Sequence, residues 1–100
     1  MKKILVCIPT FNEAENISSI ISRFDSFSSQ FLLEYNIEIL VIDDNSPDGT
    51  ANIVKGISTS IPVHLLKRSE KLGLGPAYLA GFTWGLSKNF DFFVECDADG

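Results

Sequence analysis

Two groups of acidic residues directly follow apolar, β-branched runs of the sequence. Asp43 and Asp44 close one such run, and Asp97 and Asp99 close another. Short, continuously apolar runs are typical of strands covered on both faces of a parallel sheet. The carboxyl ends of parallel strands meet at one edge of the sheet, where open α/β folds bind ligands. We therefore expect these carboxylates to lie together at a ligand-binding edge.

The whole chain alternates between strand-like and helix-like patterns, which predicts an α/β fold. Strands are predicted at residues 3–8, 37–42, 63–67 and 92–96, and helices near residues 12–27, 50–57 and 76–87. The connections have about the length of βαβ crossovers, which indicates a parallel sheet. Right-handed crossovers then favour the strand order 3-2-1-4. The switch point between strands 1 and 4 would bring together residues 9–13, 43–44 and 97–99.

Three local features refine this prediction. Pro9 is expected to end the first strand. Asn12 is a candidate helix N-cap because Glu15 stands three residues on, which is the spacing of a capping box. Gly81 and Gly85 lie four residues apart, which predicts a close approach of the third helix to the sheet, although each costs about 1 kcal/mol in helix propensity.

Charge and length exclude several classes of protein. Eight Lys and Arg residues against thirteen Asp and Glu give a net charge of −5, with no basic stripe that could follow a nucleic-acid backbone. A diphosphate ligand is compatible with this acidity if a divalent cation lies between it and the carboxylates. The apolar runs fall far short of the roughly 20 residues that span a bilayer. A hydrophobic content of 45% in 100 residues is more than so short a chain easily covers, so we expect the front part of a larger enzyme.

Cys7 and Cys96 lie in strand-like runs, where a cysteine usually behaves as a small buried hydrophobe.

The two acidic groups suggest different chemistry. Asp97 and Asp99 are alternate residues at a strand end, where both carboxylates can turn towards one hard cation such as Mg²⁺ or Mn²⁺. The alternative is a solvated turn, since Asp-x-Asp is a common pattern. Asp43 and Asp44 can accept hydrogen bonds from a ribose or a base. Equally, they can belong to a turn, because turn-forming residues follow them to residue 50.

Four segments together resemble the polyprenyl-phosphate (dolichyl-phosphate) mannosyltransferase group of inverting nucleotide-sugar glycosyltransferases. The segments are Ile-Pro-Thr-Phe-Asn-Glu-Ala-Glu-Asn-Ile at 8–17, Val-Ile-Asp-Asp-Asn-Ser-Pro-Asp-Gly-Thr at 41–50, Lys-Leu-Gly-Leu-Gly-Pro-Ala-Tyr at 71–78 with Gly81 and Phe82, and Asp-Ala-Asp-Gly at 97–100. They occur in the correct order and at the expected strand ends.

The resemblance implies a GT-A fold, which is a Rossmann-like three-layer sandwich. This chain would contain that fold up to its fourth strand. The resemblance also implies roles for particular residues. Residues 1–100 would be the N-terminal, nucleotide-sugar-binding part of the catalytic domain. The implied nucleotide-sugar ligands are Pro9, Phe11, Glu13, Asp43, Asp44, Asp97, Ala98 and Asp99, of which Asp97 and Asp99 would also be catalytic and hold the Mg²⁺ or Mn²⁺. Phe11 stands where relatives often carry a tyrosine, a change that keeps stacking but removes a hydroxyl.

The activity implied is transfer of a sugar, mannose from GDP-mannose, to a polyprenyl phosphate with inversion. Such an enzyme would meet its lipid acceptor at a membrane surface, on the cytoplasmic face. A related glycosyltransferase that uses UDP-glucose or another UDP-sugar is the first alternative, since it would use the same front half. A receiver-like phosphoacceptor domain and a fragment without activity are more remote alternatives. Receiver domains place their acidic residues after strands 1 and 3, and strand 3 here ends in Lys67 and Arg68.

Overall fold

The computed structural model describes residues 1–30, 34–69 and 73–98, which form one parallel sheet and three helices. The elements are β1 (Lys2–Thr10), α1 (Ile17–Ser28), β2 (Tyr35–Asp43), α2 (Thr50–Gly56), β3 (Val63–Lys67), α3 (Leu74–Ser87) and β4 (Phe92–Glu95). The strands pair in the order β3-β2-β1-β4, and every pair is parallel. The predicted strand order is therefore confirmed. Among the described residues, no helix is both long and apolar enough to cross a membrane.

Helices cover both faces of the sheet, as the continuous apolar strands require. Alternate residues of β1 and β2 point to opposite faces. One set packs with α1 and α2, and its buried members include Val6, Ile8, Ile39 and Val41. The other set packs with α3, and it includes Leu5, Cys7, Leu40 and Ile42. The molecule is therefore a three-layer α/β sandwich with β1 in the interior of the sheet.

β1 does not end at Pro9, as the sequence predicted, but continues to Thr10. Peptide groups along a strand bond alternately to the neighbours on either side. The Cys7 carbonyl accepts from Cys96 on the β4 side, and the Thr10 carbonyl accepts from Asp44 on the β2 side. The backbone nitrogen of Pro9 therefore faces the β4 side. The pairing between β1 and β4 ends at Cys7, so Pro9 lies beyond it. Its missing N–H costs no ladder hydrogen bond, so the proline is tolerated there.

The prediction that Asn12 caps α1 is wrong. The helix begins at Ile17 with Asn16 at the N-cap position, and Asn12 has a left-handed φ of 58°. The backbone N–H of Asn12 donates instead to the Ser46 hydroxyl at 2.9 Å. A contact with a distant loop therefore determines the conformation of this residue, in place of the capping box expected from the spacing to Glu15.

Gly81 and Gly85 allow α3 to lie directly against the sheet, as predicted. A Cβ at Gly81 would stand 2.8 Å from Ile42 Cδ1, and one at Gly85 would stand 2.8 Å from Leu5 Cδ2 and closer still to the Phe93 ring. Both glycines are buried. The close approach, rather than backbone freedom, is the reason for glycine at these two positions.

The substitution Gly85→Ala tests this packing. Overpacking a close-packed core costs about 1–3 kcal/mol, whereas the gain in helix propensity is about 1 kcal/mol. We expect a net loss of about 1 kcal/mol in the free energy of unfolding, measured by urea denaturation. Gly75→Ala in the same helix is the matched control, because nothing lies within 4 Å of its Cβ position. A Gly85→Ala protein as stable as Gly75→Ala would contradict the packing argument.

The two cysteines are free thiols. Cys7 is fully buried in the core, and burial, followed by the nearby Glu95 carboxylate, raises the pKa of its thiol to about 11. Burial also raises the pKa of the Cys96 thiol. Both thiols therefore stay protonated near neutral pH, as expected for cysteines that act as small hydrophobic residues.

Candidate active site

A cavity of about 300 Å³ lies at the carboxyl ends of β1 and β4, beside the first turn of α3. We call it the switch-point cleft, because the strand order reverses between these two strands. Its lining consists of Pro9, Thr10, Phe11, Glu13, Asp44, Gly73, Leu74, Ala77, Asp97 and Ala98. Ligands of open α/β folds bind in this position relative to the sheet.

Six of the eight residues predicted for the site line this cleft. They are Pro9, Phe11, Glu13, Asp44, Asp97 and Ala98. Asp43 lies behind the wall of the cleft and is 1% exposed. Asp99, predicted as a catalytic and metal-binding residue, lies outside the described residues. Three segments that are far apart in the sequence therefore meet at this edge of the sheet.

Asp43 joins the ends of β1 and β2 beneath the cleft. Its Oδ1 accepts hydrogen bonds from the Thr10 hydroxyl at 2.8 Å and the Ser46 hydroxyl at 2.6 Å, and its Oδ2 accepts one from the Ser46 N–H at 3.0 Å. A buried carboxylate is stable only when such donors surround it. These three bonds give Asp43 a structural role at the base of the site.

The loop between β2 and α2 binds the segment that follows β1. Three of its side chains accept hydrogen bonds from consecutive backbone N–H groups: Ser46 from residue 12, Thr50 from residue 13 at 3.1 Å and Asp48 from residue 14 at 3.0 Å. Asp48 also accepts from the N–H and hydroxyl of Thr50, and the hydroxyl bond is the largest cause of the lowered pKa of Asp48. The loop is thus more than a turn, because it positions Phe11 and Glu13 at the cleft.

Asp44 faces the cleft and forms an ion pair with Arg68, a residue that the sequence analysis did not select. Asp44 Oδ1 lies 3.3 Å from Arg68 Nε, and both side chains are largely buried. The pair lacks hydrogen-bond geometry, so Asp44 Oδ1 and Arg68 Nη1 are buried without hydrogen-bond partners among the described residues. The Arg68 N–H donates to the Asp43 carbonyl at 2.8 Å, which fixes the start of this side chain. Arg68 directly follows strand 3, at the sheet edge where the site was expected. This position is the sequence signal that could have identified it.

Asp97 forms the opposite wall of the cleft and contacts a second residue that the sequence analysis left without a role. The Tyr78 hydroxyl donates to Asp97 Oδ1 at 3.2 Å. Tyr78 lies on α3 and is 9% exposed. Burial, followed by the hydrogen bond to Asp97, raises the pKa of the Tyr78 hydroxyl above its ordinary value. The hydroxyl therefore keeps its proton and donates to the carboxylate.

The charges on the cleft lining are all negative among the described residues. Glu13, Asp44 and Asp97 line the cleft, and no Lys or Arg is among the lining residues. In the described ranges, no three His, Cys, Asp or Glu side chains are grouped so that they could hold one metal ion. The carboxylate oxygens that are present are the hard donors that Mg²⁺ and Mn²⁺ prefer. An anionic ligand would need a cation to offset this charge.

A larger groove of about 870 Å³ runs along α1 and reaches Cys96 and Asp97. Its lining comes mainly from serine and apolar side chains of α1, with Arg23 as its basic group. It contains neither the buried unpartnered oxygen of Asp44 nor the end of β1. We therefore assign the chemistry to the smaller switch-point cleft.

Ser46→Ala tests the connection between the two loops. The change removes the hydroxyl that donates to Asp43 and accepts from residue 12. Each of the two lost hydrogen bonds costs about 1 kcal/mol, and together they correspond to a fall of roughly 8–16 °C in the melting temperature of a domain of this size. Ser58→Ala, at an exposed position, is the control. Equal melting temperatures for the two variants, measured by circular dichroism, would show that the loop is held in another way.

Comparison with known proteins agrees with this arrangement of fold and cleft. The family model described as glycosyl transferase family 2 matches residues 5–100. The polyprenol monophosphomannose synthase of Mycolicibacterium smegmatis is 45% identical over 99% of this chain and 36% of its own length. The undecaprenyl-phosphate mannosyltransferase of Micrococcus luteus is 41% identical over 98% of the chain and 38% of its own length. The dolichol-phosphate mannosyltransferase of Pyrococcus furiosus is 39% identical over 97% of the chain and 26% of its own length.

The chain thus spans between a quarter and two fifths of the length of these curated relatives. The match covers β1 from residue 5 onward, the other three strands, both walls of the cleft and the loop that holds them. The parallel sheet with order 3-2-1-4 agrees with the GT-A fold expected from the resemblance, and the receiver-domain alternative is excluded. The chain belongs to glycosyl transferase family 2.

Proposed function

We propose that this protein binds GDP-mannose in the switch-point cleft, as part of an enzyme that transfers mannose with inversion to a polyprenyl phosphate. The observation that carries the proposal is the cleft itself, with one wall that carries a buried carboxylate oxygen without a hydrogen-bond partner among the described residues, and an opposite wall that carries an exposed carboxylate. The choice of mannose and of a polyprenyl phosphate is supported by the names of the relatives, which include an undecaprenyl-phosphate mannosyltransferase.

The wall formed by residues 9–13 and Asp44 suits the nucleoside. Phe11 offers an aromatic face on which a base can stack. Asp44 Oδ1 is buried without a hydrogen-bond partner among the described residues, and a buried acceptor of this kind favours a ligand that donates to it. Guanine N–H groups and ribose hydroxyls are such donors. Arg68 offsets the negative charge of Asp44, which lies next to the negative charge of Asp43. The Asp44 carboxylate can therefore stay ionised and accept hydrogen bonds from the ligand.

The opposite wall suits a diphosphate accompanied by a divalent cation. Asp97, together with Asp99, would hold Mg²⁺ or Mn²⁺ there, and their oxygens fit the preference of these ions. The cation would offset the charge of the diphosphate as it leaves. The acidic lining alone would repel a diphosphate, so this proposal requires donor binding to depend on metal.

In the proposed reaction, a phosphate oxygen of the acceptor attacks the anomeric carbon while the bond to the diphosphate breaks. A phosphate monoester has its second pKa near 6 and is mostly dianionic at neutral pH. The attacking oxygen therefore needs no strong general base. The residues of the cleft would hold the donor in place for this attack. A lipid acceptor would place this reaction at a membrane surface.

A related enzyme that uses a UDP-sugar is the second candidate, because the same walls could hold uracil. Thermal melts of the protein with GDP-mannose, UDP-glucose and UDP-N-acetylglucosamine distinguish the two. A ligand at about 100 times its dissociation constant adds roughly 2.7 kcal/mol to the free energy of unfolding, or several degrees here. We expect a shift with GDP-mannose in Mg²⁺ or Mn²⁺, which chelator and Asp97→Asn each reduce to the same residual value. A shift with a UDP-sugar alone would favour the second candidate, and no shift with any donor would contradict the nucleotide site.

The two walls make separable contributions to GDP affinity. Because Asp44 would contact the nucleoside, Asp44→Asn should weaken GDP binding both with metal and with chelator, by roughly 10-fold for a hydrogen bond to a charged group. Asp97→Asn should weaken only the metal-dependent binding. Titration calorimetry measures both. Asp44→Glu is the companion variant, because it keeps a negative charge near Arg68 while moving the carboxylate. Unchanged GDP binding in both Asp44 variants would contradict the assignment of this wall.

A further inference from the structure

We infer that Tyr78 is a positioning residue for the site, because its hydroxyl holds the Asp97 carboxylate in the orientation that receives the diphosphate and its cation. The inference rests on the proposed function, since it assigns Asp97 to that end of the donor. It gives a role to a polar side chain of α3, the helix whose first turn lines the cleft with Leu74 and Ala77.

Asp97 lies where the sheet no longer holds the chain. β4 ends at Glu95, and the last ladder bond on this side joins the Cys96 N–H to the Cys7 carbonyl at 3.0 Å. Asp97 is exposed, and the hydrogen bond that its carboxylate receives from the described residues comes from Tyr78 at 3.2 Å. The direction of this carboxylate therefore depends on α3 rather than on the strand that precedes it.

The Tyr78 ring is itself held in place by neighbouring aromatic side chains. It stacks on Phe82, with ring centroids 6.3 Å apart and planes 20° apart. Phe82 meets Phe93 of β4 edge to face, with centroids 5.2 Å apart. Offset and edge-to-face pairs of this kind stabilise a defined ring geometry. The row of rings thus joins α3 to β4 and fixes the position from which the hydroxyl reaches Asp97.

The hydrogen bond gives the two carboxylate oxygens of Asp97 different roles. Tyr78 donates to Oδ1 at 3.2 Å, and Oδ2 receives no hydrogen bond from the described residues. One oxygen is thereby anchored, and the group presents its remaining acceptor positions to the cleft in a fixed direction. Holding a ligating group in its productive orientation before binding lowers the cost of binding.

Tyr78→Phe tests the inference, because it removes the hydroxyl and keeps the ring. We measure GDP binding by calorimetry in Mn²⁺ and in chelator, and the binding of Mn²⁺ in the presence of GDP by electron paramagnetic resonance. We expect a metal-dependent GDP affinity roughly 3- to 10-fold lower than in the wild type, in line with loss of one hydrogen bond to a charged group. GDP affinity in chelator should not change. In the Asp97→Asn background, the same substitution should have no further effect.

Tyr35→Phe is the matched control, since the chain has two tyrosines and Tyr35 begins β2 at the opposite edge of the sheet. If the wild type shows no metal-dependent GDP binding, the proposed function and this inference both fail. If the wild type shows it and Tyr78→Phe matches the wild type, the inference alone fails. Weaker GDP binding by Tyr78→Phe in chelator as well as in metal would overturn the inference in favour of a general structural role for Tyr78.

Discussion

The buried carboxylate of Asp43 is the constraint on which the site depends. A charge that is 1% exposed must be surrounded by donors, and these come from Thr10 at the end of β1 and from Ser46 in the following loop. The bonds fix where the two strands end relative to each other. They also fold the loop back, so that its side chains receive the N–H groups of residues 12–14. The wall of the cleft that carries Phe11 and Glu13 is therefore built on one buried charge.

Two adjacent aspartates have different roles because their side chains meet different partners. Asp43 points into the sheet edge and has donors on both oxygens, so it offers little to a ligand. Asp44 lines the cleft, and its Oδ1 forms an ion pair with Arg68 but has no hydrogen-bond partner among the described residues. Both were expected to bind the nucleotide, with a turn as the alternative. The structure supports an intermediate view, in which Asp43 organises the turn and Asp44 faces the ligand position.

The sequence predicted the sheet well because its information is local and repeated. Four apolar runs, each bounded by turn residues, gave the strand order, and β3 has the predicted bounds. Its errors at Pro9 and Asn12 arise where a distant partner decides the outcome: the short pairing of β4 tolerates the proline, and Ser46 binds the asparagine N–H. Arg68 and Tyr78 were not selected for the same reason. The position of Arg68 directly after strand 3 placed it near the site, but the contacts of both residues depend on what lies across the sheet edge, which no local pattern encodes.

The two walls of the cleft are supported differently, and this difference bears on how a donor would bind. Hydrogen bonds from three segments hold the Asp44 wall, so it needs little reorganisation to receive a nucleoside. The Asp97 wall lies beyond the last ladder bond of β4 and is held from α3. Under the proposed function, the nucleoside would meet a preformed surface, whereas the diphosphate would meet a carboxylate whose direction depends on one hydroxyl. Preorganisation at the end of the cleft where a bond breaks and charge develops would then depend on that one hydroxyl, whereas several hydrogen bonds fix the end that recognises the base.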